Sequence, residues 1–239
     1  MAAVNKKGLR KAIGYRGMNE EAAYFFSALA FFVLAMLIFV HLLFDYYSKG
    51  GWSYDSTVYA YLQSMRNDVL DVFFKIITHA GNTIPVIIAT ASISAALFFI
   101  LKRKEYVYFV VNALGAWLLN ELLKSIIRRP RPIGGRLIDL TNMTQTSKEF
   151  SFPSGHSMVV MVIAIMLLYF ILLYSKKSFA VYLVCALILL SALLIGISRV
   201  YLGVHYFSDV VAGWTVGILW ASGSIMVHRL GSCKRRHSE

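Results

Sequence analysis

Residues 178–198, SFAVYLVCALILLSALLIGIS, form an apolar run that contains no acidic or basic side chain. A helix of this length rises about 30 Å, which is enough to cross the hydrocarbon core of a membrane. Further apolar runs cover residues 22–44, 80–101, 106–127, 157–175 and 210–227. The sequence therefore predicts an all-α integral membrane protein with six transmembrane helices.

The composition also favours a membrane protein, since 58% of the 239 residues are hydrophobic and only 15% are charged. Ordinary soluble domains carry about 25% charged residues. The first apolar run is not expected to be a cleaved secretory signal, because Asp45-Tyr46-Tyr47 follows it instead of a small-residue cleavage pattern.

The net charge of +12 is distributed in a way that favours a membrane over a nucleic acid. If the six helices alternate in direction, more than half of the 24 lysines and arginines fall on one side, in residues 6–16, 102–104, 176–177 and 229–236. The positive-inside rule makes that side cytoplasmic. We therefore predict a multi-pass membrane protein with both termini in the cytoplasm.

This topology divides the chain into three parts. Residues 1–21 form a basic cytoplasmic N-terminus, residues 22–228 form the membrane domain, and residues 229–239 form a basic cytoplasmic tail. The connection between the first two helices, residues 45–79, is long and lies on the outer side. Whether it gates a site, and whether the protein forms oligomers, stay open.

Apolar side chains recur within this outer connection at steps of three and four residues. They are Val58, Leu62, Met65, Val69, Val72 and Ile76. Such spacing gives a helix one apolar face, so we predict an amphipathic helix that lies at the outer interface of the membrane. Its role is either to cover the bundle or to guide lipid toward a site.

Three polar segments adjoin helix ends on the predicted outer side, where ionisable groups beside hydrocarbon are costly and commonly functional. They are KSIIRRPRP at 124–132, PSGH at 153–156 and SRVYLGVHYFSD at 198–209. In the third segment His205 and Asp209 are four residues apart, which places them on one face of a helix. A carboxylate bound to one imidazole nitrogen leaves the other nitrogen as a nucleophile or base.

The remaining groups in these segments suit a phosphate. Ser154 is predicted to cap the next helix, and the free N–H groups at that helix start form an anion site. Gly155 permits close approach, and His156 lies at the mouth of the site. Three basic side chains come from three different helix ends: Lys124, Arg131 and Arg199. Enzymes stabilise a transferring phosphoryl group chiefly by such cations and N–H donors.

The three segments match, in order, the pattern Lys-x6-Arg-Pro, Pro-Ser-Gly-His and Ser-Arg-x5-His-x3-Asp. The chain thus resembles the type 2 phosphatidic acid phosphatase superfamily, the lipid phosphate phosphatases. The stretch FSFPSGHSM at 150–158 is similar to bacterial members of the phosphatidylglycerophosphate phosphatase B-like and undecaprenyl diphosphate phosphatase type. The resemblance implies a six-helix membrane enzyme that hydrolyses a lipid phosphate without a metal or other cofactor.

The resemblance also implies a role for each matched residue. His205 is the implied nucleophile, which Asp209 orients, and His156 is the implied acid that protonates the leaving oxygen. The implied phosphate-binding residues are Lys124, Arg131, Ser154, Gly155 and Arg199. Arg129 also precedes a proline, but it follows Lys124 by five residues rather than seven. We therefore interpret Arg129 as a neighbour of the site.

Three other functions use part of the same residues. His156, His205 and Asp209 are possible metal ligands, although the neighbouring cations oppose a divalent ion. A transporter of an anion or lipid head group also uses cations and helix ends, but its site usually lies near the membrane midplane. Vanadium haloperoxidases share the constellation, yet they are soluble. Within the phosphatase interpretation, undecaprenyl diphosphate, phosphatidylglycerophosphate and phosphatidate stay open as substrates.

Overall fold

The computed structural model describes the backbone of residues 6–100, 105–132, 137 and 148–237, and the side chains of 22–99, 105–132, 137 and 148–231. The helices in this part of the chain are α1 (Lys6–Lys49), α2 (Tyr54–Ser64), α3 (Asp68–His79), α4 (Thr83–Ala95), α5 (Tyr106–Ile127), α6 (Gly155–Tyr174), α7 (Phe179–Tyr201) and α8 (Phe207–His237). A π-helical segment, Ala96–Ile100, continues α4. Within these residues the fold is all-α, as predicted.

Five of the described helices are long and apolar enough to cross a membrane. They are α5, α6, α7, residues 22–49 of α1 and residues 207–231 of α8. The helices α3 and α4 pass the same test only together, and they are bent by 49° at the break between them. The described residues therefore contain five candidate spans, or six if the bent pair crosses the membrane as one.

The second predicted span, residues 80–101, is not one uninterrupted helix. It begins as α4 at Thr83, because Asn82 has an extended backbone and Pro85, which lacks a backbone N–H, fits the first turn of a helix. With 13 residues, α4 rises only about 20 Å by itself. It is therefore too short to cross a membrane without α3 or the π-helical segment.

The predicted amphipathic helix of the outer connection is divided into α2 and α3. The division occurs at Asn67, whose extended backbone ends the helical run and whose side chain caps α3 by accepting a hydrogen bond from the Leu70 N–H at 3.0 Å. The apolar side chains Val69, Val72 and Ile76 on α3 are exposed. This exposure favours contact with lipid, and an interfacial position of the segment stays a prediction.

Close packing between α6 and α8 brings two of the polar segments together. Gly213 and Gly217 of α8, whose spacing is typical of close helix contacts, face the first turns of α6. A methyl group added at Gly213 would lie 2.6 Å from the Ser154 carbonyl oxygen, and one at Gly217 would lie 2.9 Å from that of Met158. The glycines thus let the start of α8 lie against the start of α6, where the Ser154 N–H donates to the Asp209 carbonyl at 2.9 Å.

The predicted boundaries after residues 21 and 228 fall inside α1 and α8, which continue as helices to Lys6 and His237. The boundaries therefore remain predictions about where the chain leaves the membrane. These boundaries depend mainly on basic residues at 6–16, 102–104 and 234–236. The side chains of these residues are not among those that the structure describes.

Candidate active site

The structure brings all three polar segments to one end of the helix bundle. The end of α5 supplies Lys124, the start of α6 supplies His156, and the end of α7 supplies Arg199. Several ionisable side chains of these segments are buried: Lys124 is 1% exposed, Arg131 5%, Arg199 0%, His205 2% and Asp209 0%. Buried charges of this kind are stable only when they are paired or bind a ligand.

His205 and Asp209 face each other as predicted, although His205 lies in the turn before α8 rather than on the helix. Its Nδ1 is 3.4 Å from Asp209 Oδ2, which is longer than a well-formed hydrogen bond. The same carboxylate oxygen accepts the Tyr206 N–H at 2.9 Å, so Asp209 also holds the turn that carries the imidazole. The His205 N–H in turn donates to the Arg199 carbonyl at 3.2 Å.

The other imidazole nitrogen of His205 faces a guanidinium. Its Nε2 is 3.2 Å from Arg131 Nη1, and because a guanidinium can only donate hydrogen bonds, Nε2 must accept. Burial lowers the pKa of His205 well below its ordinary value, and further lowering comes from Arg131, Lys124, Arg199 and His156. The imidazole is therefore neutral at pH 7, with a lone pair on Nε2.

Arg199 is the most unusual cation of the site. Its Nη1 donates to Thr78 Oγ1 at 2.8 Å. Its Nε and Nη2 are buried and have no hydrogen-bond partner among the described residues. Because unsatisfied buried donors are costly, two of them on one guanidinium indicate a site for an anion, and a phosphate offers the matching pair of acceptors.

Lys124 and the start of α6 complete the surroundings of this anion site. The Lys124 Nζ donates to the carbonyls of Phe150 at 2.9 Å and Ser151 at 3.4 Å. Ser154 caps α6 as predicted, with its Oγ accepting from the Ser157 N–H at 3.5 Å and the Ser157 Oγ at 2.9 Å. The cap leaves Gly155 and His156 in the first turn of α6, where backbone N–H groups attract anions.

Two residues of the site were missed or undervalued by the sequence interpretation. Arg129 is buried, and its Nη1 donates to Asp209 Oδ1 at 2.7 Å and to Ser208 Oγ at 2.6 Å. Its Nη2 donates at 2.7 Å to Asp55 Oδ2, on α2, and Asp55 also accepts the Ser208 N–H at 2.8 Å. No local pattern marks Asp55, because the pair joins residues 74 positions apart.

Arg129 therefore belongs to the support of Asp209 and is more than a neighbour. Burial opposes its charge, but Asp209 and Asp55 outweigh burial and hold the pKa of Arg129 above its ordinary value. The guanidinium also lies over the Tyr206 ring, 4.2 Å from the ring centre. The ion pairs tie the connection between the first two predicted spans, through α2, to the turn that carries His205.

Replacing Asp55 with alanine is expected to lower the free energy of unfolding by about 3 kcal/mol, because it leaves a buried guanidinium with one carboxylate instead of two. Chemical or thermal unfolding of the purified protein measures this loss. The matched control is K49A, which removes the exposed lysine of the Lys49–Asp45 ion pair and should lower the free energy of unfolding much less. Equal losses in D55A and K49A would show that the buried Arg129–Asp55 pair contributes no more to stability than the Lys49–Asp45 pair.

The alternative metal set of His156, His205 and Asp209 is not assembled. Within the part of the chain that the structure describes, no group of three or more His, Cys, Asp or Glu side chains is placed to hold a metal ion. The imidazole of His156 instead meets Asn82 at the break between α3 and α4, with 2.9 Å between His156 Nε2 and Asn82 Oδ1.

Comparison with known proteins points in the same direction. The family model described as the PAP2 superfamily matches residues 105–230, the region that contains the three polar segments. Phosphatidylglycerophosphatase B of Bacillus subtilis (strain 168) is 38% identical over 147 residues, which are 60% of this chain and 68% of that protein. Undecaprenyl-diphosphatase of Sulfolobus acidocaldarius is 32% identical over 143 residues, which are 59% of this chain and 64% of that protein.

A solved structure extends the similarity beyond the matched region. The crystal structure of the transmembrane PAP2 type phosphatidylglycerolphosphate phosphatase from Bacillus subtilis has a TM-score of 0.66 at 27% identity, and the match covers 87% of this chain and 96% of that one. With five or six candidate spans, the chain is a multi-pass membrane protein like this neighbour. Because the family model matches more than half of its length, the chain belongs to the PAP2 superfamily.

Proposed function

We propose that this protein is a membrane lipid phosphatase that removes phosphate from a lipid monophosphate or diphosphate through a phosphohistidine at His205. The observation that carries the proposal is the buried Arg199 guanidinium beside a neutral imidazole, with two donors that have no partner among the described residues. The cations and the helix start around Arg199 suit a phosphoryl group. The relatives named for phosphatidylglycerophosphate and undecaprenyl diphosphate favour a lipid as the rest of the substrate.

In the first step, the lone pair on His205 Nε2 forms a bond to phosphorus while the bond from phosphorus to the lipid oxygen breaks. The lipid oxygen keeps the electron pair and takes a proton from the imidazolium form of His156, which leaves that ring neutral. Arg131 lies 3.2 Å from the attacking nitrogen, so it can bind the phosphate oxygens beside the new bond. Arg199 and Lys124 bind the remaining charge, which enzymes that transfer phosphoryl groups stabilise chiefly by such preorganised cations.

In the second step, water replaces the imidazole. The oxygen of water bonds to phosphorus as the bond to Nε2 breaks, and His156 accepts the proton that water loses. Asp209 faces Nδ1 of the phosphorylated ring and offsets the positive charge that the ring carries. Inorganic phosphate leaves, and His205 returns to its neutral form.

The site is proposed to face the outer side of the membrane, with lipid entering from the outer leaflet. The excess of Lys and Arg in the opposite connections supports this orientation. The exposed apolar side chains of α3, whose last turn contacts Arg199 through Thr78, lie beside the route that such a lipid would take.

Phosphate release from defined lipids tests the proposed function. Purified protein is incubated separately with undecaprenyl diphosphate, phosphatidylglycerophosphate and phosphatidate, and released phosphate is measured with and without a chelator. We expect release from at least one lipid, unchanged by the chelator and at least about 10²-fold above the protein-free rate. Tight binding of all three lipids without release would favour a carrier instead, and release that requires added metal would favour the metal-dependent alternative.

A further inference from the structure

The break between α3 and α4 lies directly against the proposed catalytic groups. Thr78, in the last turn of α3, accepts a hydrogen bond from Arg199 Nη1 at 2.8 Å. Three residues later, a methyl group on Gly81 would lie 2.9 Å from Cδ2 of the His156 ring and 2.7 Å from a methyl of Ile195. Gly81 therefore lets the backbone of the break touch the imidazole, which a larger residue would displace.

The amide of Asn82 joins two histidines across this break. Its Oδ1 is 2.9 Å from His156 Nε2, and its Nδ2 is 2.9 Å from His79 Nδ1. An amide oxygen only accepts hydrogen bonds and an amide nitrogen only donates them. With the amide in this orientation, the arrangement requires a proton on Nε2 of His156 and a lone pair on Nδ1 of His79.

We propose that Asn82 is a positioning residue that holds one proton of His156 on Nε2 and fixes the orientation of the ring. Nδ1 is then the nitrogen that gives up its proton to substrate when the ring is an imidazolium and accepts a proton when the ring is neutral. The inference rests on the proposed phosphatase function. Neutral histidine exists in two tautomers, and a ring at the first turn of a helix can also rotate. The hydrogen bond from His156 to Asn82 fixes both the nitrogen that holds the first proton and the orientation of the ring before substrate binds. Such preorganisation favours proton transfer to substrate.

The consequence of losing Asn82 depends on the leaving group. An alkyl oxygen, such as that of a lipid, is a poor leaving group and needs a proton as its bond to phosphorus breaks. A nitrophenolate leaves readily without one. A misplaced His156 should therefore slow the cleavage of an alkyl phosphate much more than that of p-nitrophenyl phosphate, whereas general damage to the site should slow both equally.

The test compares kcat/KM for dodecyl phosphate and p-nitrophenyl phosphate in three variants. N82L removes both hydrogen bonds at similar volume, and N82D keeps the acceptor that faces His156. N67L is the matched control, because Asn67 lies at the neighbouring α2–α3 break, where its side chain bonds the backbone of Leu70 and Met65. The ratio kcat/KM covers only the steps up to departure of the leaving group, so it isolates the proton donated by His156.

For N82L we expect kcat/KM to fall about 10²-fold with dodecyl phosphate but less than about 5-fold with p-nitrophenyl phosphate. N82D should recover dodecyl phosphate cleavage to within about 10-fold of wild type, and N67L should match wild type on both substrates. With ¹⁵N-labelled histidine, the His156 Nε2 proton should be present in the wild-type protein and in N82D, with the resonance assigned by its loss in H156A.

Several results would overturn this inference. They are equal losses of N82L on the two substrates, wild-type activity of N82L on dodecyl phosphate, failure of N82D to exceed N82L, or a His156 proton on Nδ1 alone. Any of these in an active wild-type protein leaves the proposed phosphatase function standing. A wild-type protein that cleaves neither these substrates nor a lipid phosphate overturns both proposals. If N82L does not fold, N82D and the histidine spectra decide the question.

Discussion

The H205A variant is expected to release phosphate at least about 10⁴-fold more slowly than the wild-type protein. The substitution removes the nucleophile and forces water to attack phosphorus directly. It leaves in place the groups proposed to bind phosphate. Arg131 keeps its hydrogen bond to the Val204 carbonyl at 2.6 Å, and Arg199 keeps its hydrogen bond to the Thr78 hydroxyl. Substrate affinity should therefore change much less than the turnover rate.

This prediction is checked by measuring phosphate release under single-turnover conditions, with protein in excess over lipid. The matched control is H41A, since His41 is an exposed histidine of α1 whose nearest acidic group is Asp45 at 3.8 Å. H41A should retain the wild-type rate. An H205A protein that keeps more than about a tenth of the wild-type rate would remove His205 from the chemistry.

Replacing Arg199 with methionine should stabilise the free protein and nearly abolish turnover. Arg199 is fully buried, and two of its donors have no partner in the part of the chain that the structure describes. Exchanging such a charge for an apolar side chain of similar volume commonly stabilises a protein by about 1–4 kcal/mol. For a chain of this size, the midpoint of thermal unfolding should rise about 2–4 °C for each kcal/mol. Turnover should fall about 10³-fold, because the charge that develops on the phosphoryl oxygens loses its donors.

Two measurements check the expected gain in stability and loss of turnover in R199M. They are thermal unfolding in the presence and absence of inorganic phosphate, and the turnover rate. Phosphate should raise the unfolding midpoint of the wild-type protein and leave that of R199M unchanged. R128M is the control, since Arg128 is an exposed arginine that bonds the Ser125 carbonyl at the end of α5. An R199M protein that is destabilised and still responds to phosphate would show that Arg199 is a structural residue.

The elements that sequence patterns predicted best are those in which the signal is local. Hydropathy located α5 at Tyr106–Ile127 with the same bounds as the structure, since a long and mostly apolar segment is stable in a membrane only as a helix. The cap at Ser154 and the pairing of His205 with Asp209 also depend on neighbours within a few residues. Such contacts can be derived from spacing alone.

The elements that could not be predicted depend on contacts between distant residues. The break before α4 lies at the start of the apolar run predicted for residues 80–101, and no local pattern marked it as part of the site. Its contacts from Asn82 and Thr78 join residues 74 and 121 positions apart. Arg129 and Arg131 each precede a proline, and spacing favoured only Arg131. In the structure both arginines contact the His205–Asp209 pair. Arg131 faces Nε2 of His205, and Arg129 donates a hydrogen bond to Asp209.

The most direct test is to isolate the covalent intermediate. The H156A variant, which lacks the base proposed to activate water, is mixed with ³²P-labelled p-nitrophenyl phosphate, whose leaving group needs no acid, and quenched in alkali. We expect radioactive phosphate on the protein that is stable in alkali, is lost in acid, maps to the peptide containing His205 and is absent from an H156A/H205A double variant. Label on another residue, or steady release of phosphate in H156A without any labelled protein, would contradict a phosphohistidine at His205.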